Sequence, residues 1–260
     1  MIKRPHLALL TALLVSGCAS RYSSSPPDAG ASPDADALLK AMSTRLASSK
    51  HPRFTATRTM PKARAEKLNQ PTKTNVDVVL ARPNGLAVKI NGSGITKEMI
   101  FNGRTFTVVD GLNNFYSKAP LQGTLDKVPG HLAKVYGFLP PLAEFIVSDP
   151  YSHIKGHVES VSYLGKGTVN EGGKTVQCHR IGLHGSLSDA ELWLAVTDSL
   201  PRRLKVSAAG STPSDLIMDV DFLTWDLNAQ VSDSTFRHQP ASGAEEIPMV
   251  SLSEAAAANH

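Results

Sequence analysis

From Phe54 onward the apolar residues of this chain fall on alternate positions. Val76, Val78 and Leu80 alternate with polar or smaller residues, and Leu86, Val88 and Ile90 do the same; Met99 pairs in this way with Phe101, and Phe106 with Val108. Turn signals separate the runs: RPNG at 82–85, NGSG at 91–94, NGR at 102–104 and DGLNN at 110–114. Side chains two apart share a sheet face, so short alternating runs between tight turns predict an antiparallel meander. Before it, residues 34–50 follow another period. Leu38, Leu39, Met42 and Leu46 recur every three or four residues after Asp34, a side chain suited to cap a helix.

The meander is interrupted once. Residues 123–151 carry Leu125, Val128, Leu132 and Val135 at helical spacing, and a second helical piece is expected after LPP, with Leu142, Phe145 and Ile146 on one side. Pro129 and the Pro140–Pro141 pair limit or kink these helices, because proline lacks the N–H that a helix interior requires. Strands then resume. VSYLGKG and KTVQCHRIGL flank the turn NEGG, and AELWLAV, RRLKVSAA and DLIMDVDFLTWDL follow. In the last of these Leu216, Met218, Val220 and Phe222 share one face, and Asp215, Asp219 and Asp221 share the other. A sheet with one apolar face needs cover on that side, and the helices are the only candidates. The expected architecture is α+β: one domain over 34–250, a sheet with helices against its apolar face. The segment 251–260 has little to bury and reads as a loose tail.

Composition changes the picture little. The chain has 260 residues, of which 41% are hydrophobic and 19% charged, as in an ordinary globular protein. Its net charge of +4 includes Lys3 and Arg4, and without residues 1–17 it falls to +2, too small and too scattered to argue for nucleic acid.

The first residues change the picture more. Lys3 and Arg4 precede the apolar run LALLTALLV at 7–15, which is too short to span a bilayer as a stable helix. Ser16 and Gly17 then stand directly before Cys18. This pattern resembles the lipobox of bacterial lipoproteins, with Val15 where leucine is most usual. The resemblance implies that 1–17 is a lipoprotein signal peptide and that Cys18 carries a diacylglycerol anchor. The alternative is an ordinary secretory leader cut near Ala19. Ala19 stands where an inner-membrane retention signal would carry Asp, so the resemblance implies outer-membrane sorting with the domain facing the periplasm. Residues 18–33 continue as a Ser-, Pro-, Ala- and Gly-rich tether that reaches at most roughly 50 Å. With Cys18 lipidated, Cys178 has no disulfide partner within the chain.

Several constellations invite a chemical reading. GKGTVNEGGKT at 165–175 has five residues between Gly167 and Gly173, one more than a P-loop allows, and strand-like flanks make it a hairpin. His153 and His157 have metal-ligand spacing, but Gly156 lies between them and no Glu or Cys completes a set. Cys178 and His179 are adjacent on a strand, so their side chains point to opposite faces. Asp219 and Asp221 share a face that reads as solvated rather than as an acid–base pair. No G-x-S-x-G is present, and nothing places a base beside a nucleophile. The expectation is therefore a protein that is not an enzyme and needs no cofactor or metal. Lys62, Arg64, Lys67 and Lys73 form a basic run that reads as a solvated loop, or else as a surface for anionic headgroups or an acidic partner.

Four blocks, in order, carry a family resemblance: FNGRTFTVVDGLNNFYSKAP at 101–120, GTLDKV…KVYGFLPPLAEFIVSDPY within 123–151, LPRRLKV at 200–206 and STFRHQPASGAEEI at 234–247. They resemble the DUF2092 family of predicted periplasmic proteins, and the resemblance runs from about residue 35 to residue 248. Only the first hairpin, MPKARAEKLNQPTKT at 60–74, departs from it. The family is similar in architecture to carriers and receptors of the LolA, LolB and RseB type. That implies a curved antiparallel sheet, an unclosed β-barrel, whose concave apolar face is covered by helices acting as a lid. By this analogy an apolar cavity lined by Met99, Phe101, Phe106, Leu132, Phe138, Leu142, Phe145, Ile146, Trp193 and Phe222 would take a lipid or the acyl chain of a lipoprotein. The same residues fit a fully packed core equally well. The rival function is an envelope protein-interaction or stress-sensing module with no small-molecule ligand.

Overall fold

The computed structural model describes residues 33–210 and 215–258. The lipobox and Cys18 lie outside the described residues, as does most of the tether. In chain order the elements are α1 (Ala35–Ala47), β1 (Arg53–Thr59), α2 (Lys62–Lys67), β2 (Lys73–Ala81), β3 (Gly85–Gly92), β4 (Ile95–Phe101), β5 (Thr105–Asp110), β6 (Phe115–Pro120), α3 (Lys127–Tyr136), α4 (Pro150–Lys155), β7 (Ser160–Glu171), β8 (Lys174–His184), β9 (Ser188–Ala195), β10 (Pro201–Ala208), β11 (Leu216–Asp226), β12 (Glu245–Glu246) and α5 (Leu252–Ala257). Among the described residues no helix is long and apolar enough to cross a membrane.

All twelve strands form one sheet, in the order β12-β6-β5-β4-β3-β2-β1-β11-β10-β9-β8-β7. Two meanders, β1–β6 and β7–β11, join where β1 pairs antiparallel with β11, and among the described strands only β12 runs parallel to its neighbour, β6. The fold is α+β as expected, and the sheet is unclosed, as the family resemblance implied. This order has a direct consequence. The first meander ends near one edge of the sheet and the second begins at the other, so residues 121–159 must travel from edge to edge. They do so over the apolar face. The buried cluster joins Leu39, Met42 and Leu46 of α1, Leu125, Val128 and Leu132 at α3, Leu142, Phe145 and Ile146, and the inward residues of β1–β5 and β8–β11. Residues 32–260 form one compact unit, which holds these strands, the core and the cover.

The helix expected at 34–50 is α1, capped by Asp34, whose side chain accepts from the Asp36 N–H at 3.0 Å. The helical spacing from Leu125 to Val135 forms α3, which buries Val128, Pro129 and Leu132. The second helical piece after LPP does not form as a helix. Pro140 and Pro141 supply no N–H, Leu142 takes a left-handed φ of 59°, and only a 3-10 turn, Ala143–Phe145, follows. The first hairpin, which departed from the family pattern, holds the short helix α2. The segment expected to be a loose tail instead forms α5, closed by a capping box between Ser251 and Glu254, although it buries no residue.

The other face of the sheet is covered over one half only. Residues 227–244 lead from the central strand β11 to the edge at β12, with the Phe236 ring against Gly85 and the His238 ring 4.8 Å from that of Tyr116. Over β8–β11 this face carries ion pairs instead. Arg180 pairs with Glu191, Arg203 with Asp219 and Asp221, and Arg202 with Glu171 and Asp198.

Candidate functional site

The site that the sequence points to is the apolar face of the sheet beneath residues 121–157. Phe101, Phe106, Leu132, Leu142, Phe145, Ile146 and Phe222 all lie there, each at most 5% exposed and all in one cluster. The Phe145 ring meets Phe222 edge-on at 5.3 Å, and Phe138, half-buried, faces Phe106 at 6.3 Å. Met99, also half-buried, packs against the same cluster. Nine of the ten expected wall residues are thus brought together, with their side chains against one another.

Trp193 is the correction. Its neighbours Leu192 and Leu194 are the buried, inward residues of β9, so strand alternation sends Trp193 to the opposite face. There its ring lies across Gly167, where an added Cβ would come within 2.6 Å of it, and the Arg180 guanidinium sits 5.1 Å from the ring centre. It takes no part in the covered face.

Other wall residues carried weaker signals. Phe54, fully buried, stacks 4.6 Å from Trp225 and 5.9 Å from Phe222. Phe222 and Trp225 are three apart, a spacing that should put them on opposite faces of a strand. The register shift at Thr55/Ala56 skips Leu223, which is 48% exposed, and returns Trp225 to the inner side. A bulge of this kind leaves no mark in the apolar pattern.

The cover is attached at three places. At its start Leu125 donates its N–H to the Pro83 carbonyl at 2.8 Å, and α3 buries its apolar side. In the middle, Arg82 donates through Nη1 to the carbonyls of Ile146 (3.1 Å) and Val147 (2.7 Å). Its Nε and Nη2 are buried and have no partner among the described residues, and burial pushes the guanidinium below its ordinary value. Close by, Asp126 accepts from the N–H of Ser148 at 2.6 Å and from its hydroxyl at 2.8 Å, tying the start of α3 to the far end of the irregular stretch.

At its end the cover is joined to α1. Asp149 caps α4 by accepting from the Ser152 N–H at 3.1 Å, and it also accepts from the Ser43 hydroxyl at 3.0 Å. Tyr151 donates its hydroxyl to Asp36 at 2.9 Å, and Lys155 and Lys40 pair with the same carboxylate at 3.3 and 2.9 Å. Hydrogen bonding from Lys40 and then from Tyr151 lowers the Asp36 carboxyl to about 2, and Asp149 is lowered chiefly by Ser152. Neither Arg82, in a turn signal, nor this joint could be read from the apolar pattern.

The residues with possible chemistry are dispersed. Cys178 is fully buried, with its thiol pushed up to about 11 by burial, while His179 on the other face lies beside Tyr163 at 3.2 Å. The His153 and His157 rings are 4.8 Å apart, and burial, then the neighbouring His157, lowers His153. Among the described residues no three His, Cys, Asp or Glu side chains gather as metal ligands would. Asp219 and Asp221 both face Arg203 on the outer side of the sheet.

A comparison of the sequence with curated proteins gives no match. Among solved structures, an uncharacterized conserved protein from Thermus thermophilus is similar with a TM-score of 0.51 at 11% identity, over 82% of this chain and 98% of that one. The complex of MucA and MucB from Pseudomonas aeruginosa gives 0.45 at 13% identity, over 80% of this chain and 62% of that one. A LolA superfamily protein from Nitrosomonas europaea gives 0.35 at 10%, over 78% and 97%. The likeness to the Thermus thermophilus protein shows that the fold is a known one. The family model of predicted periplasmic proteins, DUF2092, matches residues 35–250, and the chain belongs to that family.

Proposed function

We propose that this protein is a non-catalytic periplasmic binding protein, anchored in the outer membrane through a lipidated Cys18, that takes a lipid or lipoprotein acyl chain against the apolar face of its sheet. The observation that carries this reading is the attachment of residues 137–149. This stretch covers large apolar side chains, yet it holds one 3-10 turn, a leucine at positive φ and a central tie to Arg82 whose remaining buried donors are unpartnered. An unpartnered buried N–H costs about 1–3 kcal/mol, which offsets much of what the two bonds contribute. Displacing the stretch frees those donors to meet water and uncovers Phe101, Phe106 and Phe222. An acyl chain on that wall would gain about 0.8 kcal/mol for each methylene buried. No bond is made or broken; ligand affinity and the work of lifting the cover set occupancy.

A second reading has its own observation. The wall residues pack against one another in one continuous cluster, as in a domain that presents surfaces to partner proteins and senses envelope stress without a ligand. One experiment separates the two. Delipidated protein comprising residues 32–260 is titrated with a fluorescent long-chain fatty acid, and freshly purified protein is inspected for bound lipid by native mass spectrometry. The carrier reading expects one chain per molecule and at least tenfold tighter binding by Arg82→Met. No binding by either protein at tens of micromolar would overturn it and leave the interaction module.

A further inference from the structure

The basic connection between β1 and β2 has no part in the covered face and is built on its own hydrogen-bonded frame. The Met60 N–H bonds to the Thr72 carbonyl at 2.8 Å and closes its base, Ala65 of α2 is 1% exposed and pins the helix, and Asn69 at φ 49° turns the chain so that the Gln70 N–H reaches the Ala65 carbonyl at 2.9 Å. Lys62, Arg64, Lys67 and Lys73 all stand exposed on this frame. Lys62 pairs with Glu66 at 3.7 Å; the other three have no ion pair among the described residues. Outside residues 60–74 the described part of the chain carries one more acid than base, so its positive charge is concentrated here. Leu68, at the end of α2 and next to Lys67, is 45% exposed. Between this connection and the β3–β4 turn runs an open groove of about 990 Å³, lined by Lys62 with its partner Glu66, by Lys73 and by the amides of Asn69, Gln70, Asn75 and Asn91.

We infer that this connection is a docking surface for an anionic phospholipid bilayer. Three of its four cations are lysines, whose compact charges suit a diffuse field of headgroup phosphates better than the fixed carboxylates of a folded partner. The amides give the groove hydrogen-bond donors for phosphate and glycerol oxygens. Leu68 adds an apolar contact at the depth where the headgroups meet the acyl chains. The surface would bring the domain to the membrane whether or not its interior takes a ligand.

The test uses residues 32–260 in flotation with vesicles of phosphatidylglycerol and phosphatidylethanolamine, and with vesicles of phosphatidylcholine alone. Binding is expected only to the anionic vesicles and is expected to be lost in 0.5 M salt. Each cation near such a surface is worth roughly fivefold in partitioning. The combined variant Lys62→Gln, Arg64→Gln, Lys67→Gln and Lys73→Gln should therefore lose at least a hundredfold, and Leu68→Ser several-fold, with thermal midpoints unchanged. Equal binding to phosphatidylcholine, undiminished binding by the combined variant, or capture of polyglutamate in place of vesicles would overturn the inference.

Discussion

Two covers lie on the apolar face of this sheet, and they are attached in opposite ways. α1 is a single regular helix, capped by its own Asp34, with Leu39 and Met42 fully buried and Leu46 at 1% exposure. It satisfies its backbone internally and is held by side-chain burial. Residues 121–157 also bury large apolar side chains, Leu125, Val128, Leu132, Phe145 and Ile146 among them, but are regular only at α3 and α4. Between these helices the chain has prolines, a left-handed leucine and a tie to one arginine. On the proposed function, the segment whose polar groups depend on a few side chains elsewhere is the one that opens, while α1 stays with the core. On that reading α1 is wall and the irregular stretch is lid.

The largest expected effect separates the two outright. Leu39→Asp places an unpaired carboxylate under α1 and should abolish cooperative unfolding, since an uncompensated buried charge costs several kcal/mol. Phe145→Asp should instead leave the far-ultraviolet dichroism of the sheet intact while the domain gains affinity for an apolar dye. Loss of the sheet in both variants would make the covers equivalent. A smaller effect belongs to Arg82→Met. Removing two charge-assisted hydrogen bonds should destabilise the lid locally by about 2–4 kcal/mol, less the relief of the unpartnered donors. Hydrogen exchange should then quicken by an order of magnitude or more at residues 142–148 and stay unchanged in α1.

Acid gives the smallest and most selective change. Asp36 and Asp149 tie α4 to α1, and both are lowered in the folded protein, Asp36 to about 2. A depressed carboxyl contributes stability that is complete above its unfolded value near 4 and is lost as the pH falls through the folded one. Between pH 4 and pH 2 the joint should loosen before the sheet does, so the environment of Tyr151, read by near-ultraviolet dichroism, should change ahead of the global transition. Coincident transitions would show that lid and wall behave as one unit.

Much of this arrangement was legible in the order of residues. Alternation at Val76–Leu80, Leu86–Ile90 and Leu216–Phe222 marked strands and their inner faces, and the three-to-four spacing of Leu38–Leu46 marked α1, because burial on one face imposes those periods directly. The family blocks carried the unclosed sheet and its helical cover. Trp193 was misplaced for a simple reason: a large aromatic residue on a strand looks like wall, yet Leu192 and Leu194 had already claimed the inner side. Trp225 could be assigned to the inner face only through the bulge at Leu223. Arg82 was hidden in a turn signal, since its partners Ile146 and Val147 lie more than sixty residues away.

By itself the sequence determined the period of each element and the family. Those depend on neighbours in the chain, and they are written locally. Only the tertiary structure decided that β6 and β7 lie toward opposite edges, so that the chain between them must cross the apolar face, and that this crossing is tied to Arg82 and α1. Such ties join distant residues through single hydrogen bonds and ion pairs, which leave no periodic trace along the chain.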